Sequence, residues 1–200
     1  MTKKIIIISG SPKKDGNTAT LIKWFREGVA GKADIEIVNA AFLKTKTKGC
    51  MACRACQKRK EYGCVIKDEV AETLQKMAKA DIIVMATPLF FFSMSAQIKH
   101  IVDRMFSLYK WDNEANTFKT PLKGKMLVLI ASAYEDIGLD ALEKPFVLTA
   151  DYTGMKYMSL LIPNAGESGD LKKREDVRKK ARAFGKKIVT RYGLRVTSKK

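Results

Sequence analysis

Apolar residues along this chain follow two alternating patterns. Short unbroken runs, KKIIIISGS at the start, DIIVMATP at 81–88, KMLVLIASA at 125–133 and MKYMSLLIP at 155–163, are each stopped by Gly, Ser or Pro. Runs of this length and β-branched content predict buried strands, and the alternating DIEIVNA at 34–40 predicts another. Between them, apolar residues recur at helical spacing. Asn17 or Thr18 is expected to cap a helix through Trp24, Phe25 and Val29 that ends near Gly31. Asp68 caps a second, with Val70, Leu74 and Met77 on one face, and SAQIKHIVDRMFSLY (95–109) reads as a third. A fourth lies between Leu139 and Tyr152, and Val177, Ala181, Phe184 and Ile188 form the buried stripe of the last. The order is five times strand then helix, with strands too apolar to be solvated on either face. That order predicts an α/β fold with a five-stranded parallel sheet and helices on both sides. Ligands of such sheets sit at the carboxyl ends of the strands, so the loops after Ile8, Ala86 and Ile130 are the ones to inspect.

Composition adds bounds. Two hundred residues without repeats or low-complexity segments suit one domain, here 1–193, with a cysteine-rich insertion at 44–66 and a basic tail at 194–200. MTKK is followed by too short an apolar run for an export signal, and the longest apolar stretch, Ile82 to Phe92, is broken at Thr87-Pro88. The expectation is a cytoplasmic protein without a membrane span. Its net charge of +17 is uneven. Residues 44–60 carry seven basic side chains and no acid, and residues 171–200 carry thirteen against two. Such clusters either solvate the surface or meet an acidic partner.

All four cysteines fall in CMACRACQKRKEYGC, as Cys50, Cys53, Cys56 and Cys64. A disulfide framework would spread its thiols through the chain. Four clustered thiolates suit a soft metal ion or an iron–sulfur cluster. Zinc sites more often pair two C-x2-C knuckles across a longer spacer or include histidine. Three cysteines at successive x2 steps with a more distant fourth follow the bacterial ferredoxin pattern. Thiols that hold nothing are the third alternative. His100, the only histidine, reads as an exposed helix residue.

The first strand leads into SGSPKKDGNT (9–18), which is neither a P-loop nor a dinucleotide fingerprint. It offers the hydroxyls and amides of Ser9, Ser11, Asn17 and Thr18 around a turn at Pro12, with Lys13 or Lys14 for charge. A helix N-terminus there favours a phosphate. A capped turn with no ligand is the alternative. The third strand leads into PLFFFSMS, where Pro88, Leu89, Phe90, Phe91 and Ser93 could wall a flat apolar ring, or the aromatics could be core or dimer contacts. Lys99 and Asp103, four apart, suit a surface pair, and Arg104 reads as structural.

GSPKKDGNT resembles the GSPRKxGNT signature of the NADPH-dependent FMN reductase family, and TPLFFFSMSAQIKHIVDR (87–104) is similar to that family's second flavin loop. The family usually has Tyr where this chain has Phe90, so a phenolic hydrogen bond is absent. The resemblance implies a flavodoxin-like three-layer sandwich with strand order 2-1-3-4-5. It implies FMN bound by Ser9, Ser11, Pro12, Lys13, Asn17, Thr18, Pro88, Leu89, Phe90, Phe91 and Ser93. The cysteine motif resembles the iron–sulfur flavoprotein branch, which implies a [4Fe–4S] cluster on Cys50, Cys53, Cys56 and Cys64. It further implies a ferredoxin-like acidic donor, a small-molecule acceptor, and a homodimer or homotetramer. No side chain is assigned as acid or base. The alternatives are a cluster-free NAD(P)H-dependent FMN or quinone reductase, and a basic zinc-binding module for nucleic acid. The aromatics lie in apolar runs rather than between basic residues, which argues against nucleic acid.

Overall fold

The computed structural model describes residues 2–191, so the predicted tail at 194–200 lies outside the described residues. Five strands form one parallel sheet in the order β2-β1-β3-β6-β7: β1 Lys3–Ser9, β2 Ala33–Asn39, β3 Ile82–Pro88, β6 Met126–Ser132 and β7 Lys156–Ile162. Counting only these strands, the order is 2-1-3-4-5, as expected. Alternation within the apolar runs sends Ile5, Ile7, Val84 and Val128 to one face and Ile6, Ile8, Ile83, Met85 and Leu129 to the other. Helices α1 (Asn17–Val29) and α5 (Glu175–Arg191) cover the first face, while α2 (Glu69–Lys79), α3 (Ala96–Arg104) and α4 (Leu139–Thr153) cover the second. The central strands β1, β3 and β6 are almost wholly buried, but β2 leaves Asp34, Glu36 and Ile37 exposed because it is an edge strand. The expectation that no strand is solvated therefore fails at β2.

Two helix ends differ from expectation. Gly16, not Asn17 or Thr18, is the N-cap of α1, and it makes no side-chain bond. Asn17 is used elsewhere, as described below. The third helix stops at Arg104 and tightens into a 3-10 turn over Met105–Leu108, where Ser107 donates its hydroxyl to the Arg104 carbonyl. Asp68 caps α2 as predicted, accepting from the Ala71 N–H at 3.0 Å.

A small antiparallel hairpin, β4 (Lys110–Asp112) and β5 (Thr117–Lys119), was not foreseen. Three-residue strands are too short to show alternation. Rings of Tyr109, Trp111, Phe118 and Tyr152 hold it on the end of α4, with centroids 5.0–6.5 Å apart. Among the described residues no helix is long and apolar enough to cross a membrane.

Candidate functional site: a cleft and a cysteine cavity joined by one helix

The carboxyl ends of β1, β3, β6 and β7 border a cleft of about 210 Å³. Its first wall is the loop after β1. Gly10 donates to the Ala86 carbonyl at 2.7 Å, and a Cβ there would collide with Ser95 and Ile98 at the start of α3. Only glycine lets the two loops approach this closely. Beyond it, the Ser11 hydroxyl accepts from the Lys13 N–H at 3.2 Å and closes a tight turn. The first turn of α1 then faces the cleft through Gly16, Asn17 and Thr18, with no acidic residue and no side-chain cap. Its leading N–H groups are thus free to meet an anion.

Asn17 organises this end of the molecule. Its amide nitrogen donates to the carbonyls of Ala165 (3.0 Å), Gly166 (3.4 Å) and Glu167 (2.9 Å), and its oxygen accepts from the N–H groups of Gly169 and Leu171. One side chain therefore satisfies five backbone groups of the loop after β7, which is why it does not cap α1. Ala165, Gly166 and Ser168 of that loop complete the cleft with Ser132, Ala133 and Tyr134 after β6. No residue of these two loops was singled out from the sequence. The Asn-Ala-Gly-Glu-Ser-Gly run at 164–169, at the end of a strand, was the available signal.

The loop after β3 forms the other wall through Pro88, Leu89 and Phe90. Phe90 and Ser93 exchange two backbone hydrogen bonds at 3.0 Å, closing a two-residue turn over Phe91 and Phe92, with φ of 45° and 61°. Turns with positive φ at both central residues favour Asn-Gly, so two phenylalanines there carry roughly 1–2 kcal/mol of strain each. The turn holds Phe91 99% exposed. None of the three aromatics is core: Phe90 and Phe92 are about half exposed, and Phe92 lies against Gly138. Phe91 and Phe92 border instead an adjoining, mainly apolar shelf with Leu89, Ala133, Tyr134 and Ile137, where Glu135 is the one charged residue.

Of the residues expected at the first site, the cleft brings together Ser11, Pro12, Lys13, Asn17, Thr18, Pro88, Leu89 and Phe90. Ser9 is buried in β1 and Ser93 sits exposed on the far side of the turn, and neither lines the cleft. Lys14 points away, its ammonium 5.1 Å from the Phe42 ring.

The second site lies at the other end of α3. Cys50, Cys53, Cys56 and Cys64 border one cavity together with Ile66, Arg104 and Ser107. Cys56 is buried, Cys64 half-buried, and Cys50 and Cys53 are exposed; all four thiols are free. Among the described residues no three His, Cys, Asp or Glu side chains converge closely enough to hold a single metal ion. The loop has little regular structure, and Ala52 and Arg54 are both left-handed, with φ of 50° and 54°. Neighbouring elements hold it from outside. The Lys110 ammonium donates to the carbonyls of Cys56 (2.6 Å) and Arg59 (2.8 Å), and the Gln57 amide to the Tyr109 carbonyl at 3.0 Å. Gly63 N–H reaches the Ser107 carbonyl, and Gln75 the Tyr62 carbonyl. The unforeseen hairpin thus begins at a staple of the cysteine loop.

Arg104 ends α3 against this cavity, 1% exposed, and pairs with Asp68 at 2.7 Å. Burial pushes the Asp68 carboxyl up, but hydrogen bonds from Arg104 and from the Lys46 and Ala71 N–H groups outweigh it and hold its pKa at about 2. His100, one turn earlier, is half-buried rather than exposed, with its Nε2 enclosed and without a partner. Burial, helped by the Arg104 cation, pushes its pKa down. Lys99 and Asp103 form the expected surface pair at 2.5 Å.

A family model described as NADPH-dependent FMN reductase matches residues 3–167. The chain belongs to the NADPH-dependent FMN reductase family. Its relatives within it are iron–sulfur flavoproteins, which puts the chain in that branch. One, of Methanocaldococcus jannaschii, is 40% identical over 102 residues, half of this chain and 51% of that protein. Another, of Archaeoglobus fulgidus, is 31% identical over 145 residues, 72% of this chain and 69% of that protein. The chain spans about half the length of most of the curated relatives it matches. Among solved structures, an NAD(P)H:quinone oxidoreductase from Methanothermobacter marburgensis superposes with a TM-score of 0.69 at 17% identity, over 94% of this chain and all of that one. An FMN-dependent NADH-azoreductase from Bacillus anthracis, solved in complex with FMN, gives 0.68 at 14% identity over 94% of this chain and all of that one. At these identities the structures show the flavodoxin-like fold alone.

Proposed function

We propose that this chain is an FMN-containing iron–sulfur flavoprotein, an electron-transfer oxidoreductase with FMN in the cleft and a [4Fe–4S] cluster on Cys50, Cys53, Cys56 and Cys64. One observation carries the reading. Four cysteines spread over fifteen residues of irregular loop border a single cavity, and one helix, α3, ends at that cavity with Arg104 and begins against Gly10 of the loop that walls the cleft. That helix is nine residues, about 13 Å, long. The donor set fits the group, since four thiols with a buried cation beside them suit an anionic iron–sulfur centre.

When bound, FMN supplies electron exchange in steps of one or two and the cluster in steps of one. The chain's own residues orient and enclose these groups. The Ser11 and Thr18 hydroxyls and the first-turn N–H groups of α1 would hold a phosphate, with Lys13 for charge. Pro88, Leu89 and Phe90 would face the ring from one side and Ser132 to Tyr134 from another. The apolar shelf beyond Leu89 suits a flat small-molecule acceptor. All seven basic residues of 44–60, Lys44, Lys46, Lys48, Arg54, Lys58, Arg59 and Lys60, are exposed around the cysteine cavity, a surface suited to an acidic ferredoxin-like donor. The protruding Phe91 favours a homodimer or homotetramer in which a second copy covers it.

A second reading, a cluster-free NAD(P)H-dependent FMN or quinone reductase, is favoured by the exposure of Cys50 and Cys53. Protein purified without oxygen separates the two. The first reading requires stoichiometric iron, sulfide and FMN, with broad absorbance near ~400 nm beneath the flavin bands. Flavin without iron, in protein that reacts readily with NADPH, would establish the second.

A further inference from the structure

Arg104 is a full positive charge buried at the wall of the cysteine cavity, and the fold goes to some length to keep it there. Its guanidinium donates to Asp68 at 2.7 Å and to the Ile66 carbonyl at 3.0 Å. Asp68 accepts from two further donors, the Ala71 and Lys46 N–H groups, both at 3.0 Å. The Arg104 Nε–H remains, buried and without a partner. A buried N–H left unpaired is costly, and one on a charged group more so. Yet Cys64 lies beside this guanidinium, and all four thiols share the cavity it borders. Asp68 does not border that cavity, so the pair is oriented, with its positive end toward the sulfurs.

We propose that Arg104 is a positioning residue for the cysteine site, a fixed cation held by Asp68 that raises the reduction potential of the group the thiolates carry. The inference rests on the iron–sulfur reading above. Each reduction adds one electron, donated by an external reductant such as dithionite, and no proton. The centre becomes one unit more negative, and a cation beside it stabilises that state. The two partners then act in opposite senses: the arginine raises the potential, and the aspartate, by offsetting it, lowers it. A staple with no electrostatic role would not behave this way. Arg104 and Asp68 do tie the exit of the cysteine loop at Ile66 to its entry at Lys46, so a purely mechanical pair would loosen the loop whichever partner was lost.

The test is a redox titration of anaerobically purified protein, with iron and sulfide assayed in every sample. Arg104→Met should shift the one-electron equilibrium at least tenfold toward the oxidised form, about 59 mV lower. Asp68→Asn, which keeps a side chain able to cap α2, should shift it toward the reduced form. Arg104→Lys, which keeps the charge but not the fork, should restore most of the Arg104→Met loss. If Arg104→Met fails to fold, the double variant Arg104→Met/Asp68→Asn leaves no buried charge unpaired and should still titrate below wild type. Shifts in the same direction for both partners, or none beyond threefold in a wild type that carries its cluster, would overturn the inference alone. A wild type without iron and sulfide would overturn it together with the iron–sulfur reading.

Discussion

The cleft and the cysteine cavity sit at opposite ends of α3 and are built in opposite ways. The cleft is made where four strands end, so its walls inherit the rigidity of the sheet. Leu89 N–H bonds the Ser132 carbonyl, Ala133 N–H the Ile162 carbonyl, and Ala165 N–H the Ala133 carbonyl, each within 3.0 Å. The cysteine cavity stands on an insertion with a single 3-10 turn, Ala55–Lys58, and two left-handed non-glycine residues. It borrows its order from Lys110, Gln75, Arg104 and Asp68, all outside the insertion. A site at strand ends needs only short loops and glycine. A site in an added loop needs staples, and here three of the four are charged.

That difference can be broken most severely at Asp68. Replacing it with alanine leaves Arg104 buried and unpaired and uncaps α2, and should cost ~3–5 kcal/mol of unfolding free energy in urea titrations. No single substitution in the cleft loop should cost as much. The same carboxylate predicts an acid limit. Its folded pKa of about 2 lies below the ordinary aspartate value of 3.8, so its stabilisation is complete above pH ~4 and is lost as pH falls toward 2. Asp68→Asn should flatten that part of the stability profile; an unchanged profile would show that other carboxylates set it.

The cleft is tested by its ligand rather than by stability. Ser11→Ala or Thr18→Ala removes a hydrogen bond to a charged group, worth ~1.5–3 kcal/mol, and should weaken FMN about ten- to a hundredfold. Riboflavin, without the phosphate, should bind nearly as before. Ser9→Ala is the control, because Ser9 does not line the cleft. Equal losses for FMN and riboflavin would move the phosphate site elsewhere.

The charged rim of the cysteine loop gives a smaller effect, on rate. Raising ionic strength from roughly 0.02 to 0.3 M shortens the Debye length from about 20 Å to under 10 Å. Reduction by an acidic ferredoxin should slow several-fold over that range, and Lys58, Arg59 and Lys60 changed together to glutamate should mimic high salt. An uncharged donor slowed to the same degree would rule out docking at this rim. The smallest effect concerns loop strain. Arg54→Gly relieves a left-handed conformation but adds freedom to the unfolded chain, so stability should rise by only a few tenths of a kcal/mol. A clear loss on calorimetry would mean that the Arg54 side chain, not its backbone, holds the loop.

Much of this is legible in the sequence. The four buried runs, the alternating strand at 34–40, the Asp68 cap and the apolar stripe of α5 were readable because a regular element leaves a period in the sequence. The cysteines announced themselves by type and spacing. The hairpin Lys110–Lys119 left no such trace, because its strands are three residues long and its rings pack on a single ring of α4, Tyr152. Asn17 was misread as a cap because capping is a local habit of its type, whereas its five hydrogen bonds go to residues some 150 positions away. The Phe91-Phe92 turn contradicts turn preference outright, so preference could not have found it.

By itself, then, the sequence determined the layers, the strand order expected of its family, and the residue types available for chemistry, since each follows from local pattern. Only the tertiary structure decided which of those residues meet. It separated Ser9 and Ser93 from the cleft and added the loop after β7 to it. It gathered four thiols from fifteen residues of irregular chain around one cavity, and set Arg104 against them. Contacts between distant segments depend on how helices cross the sheet and where loops are pinned. Neither is written in the period of any one segment.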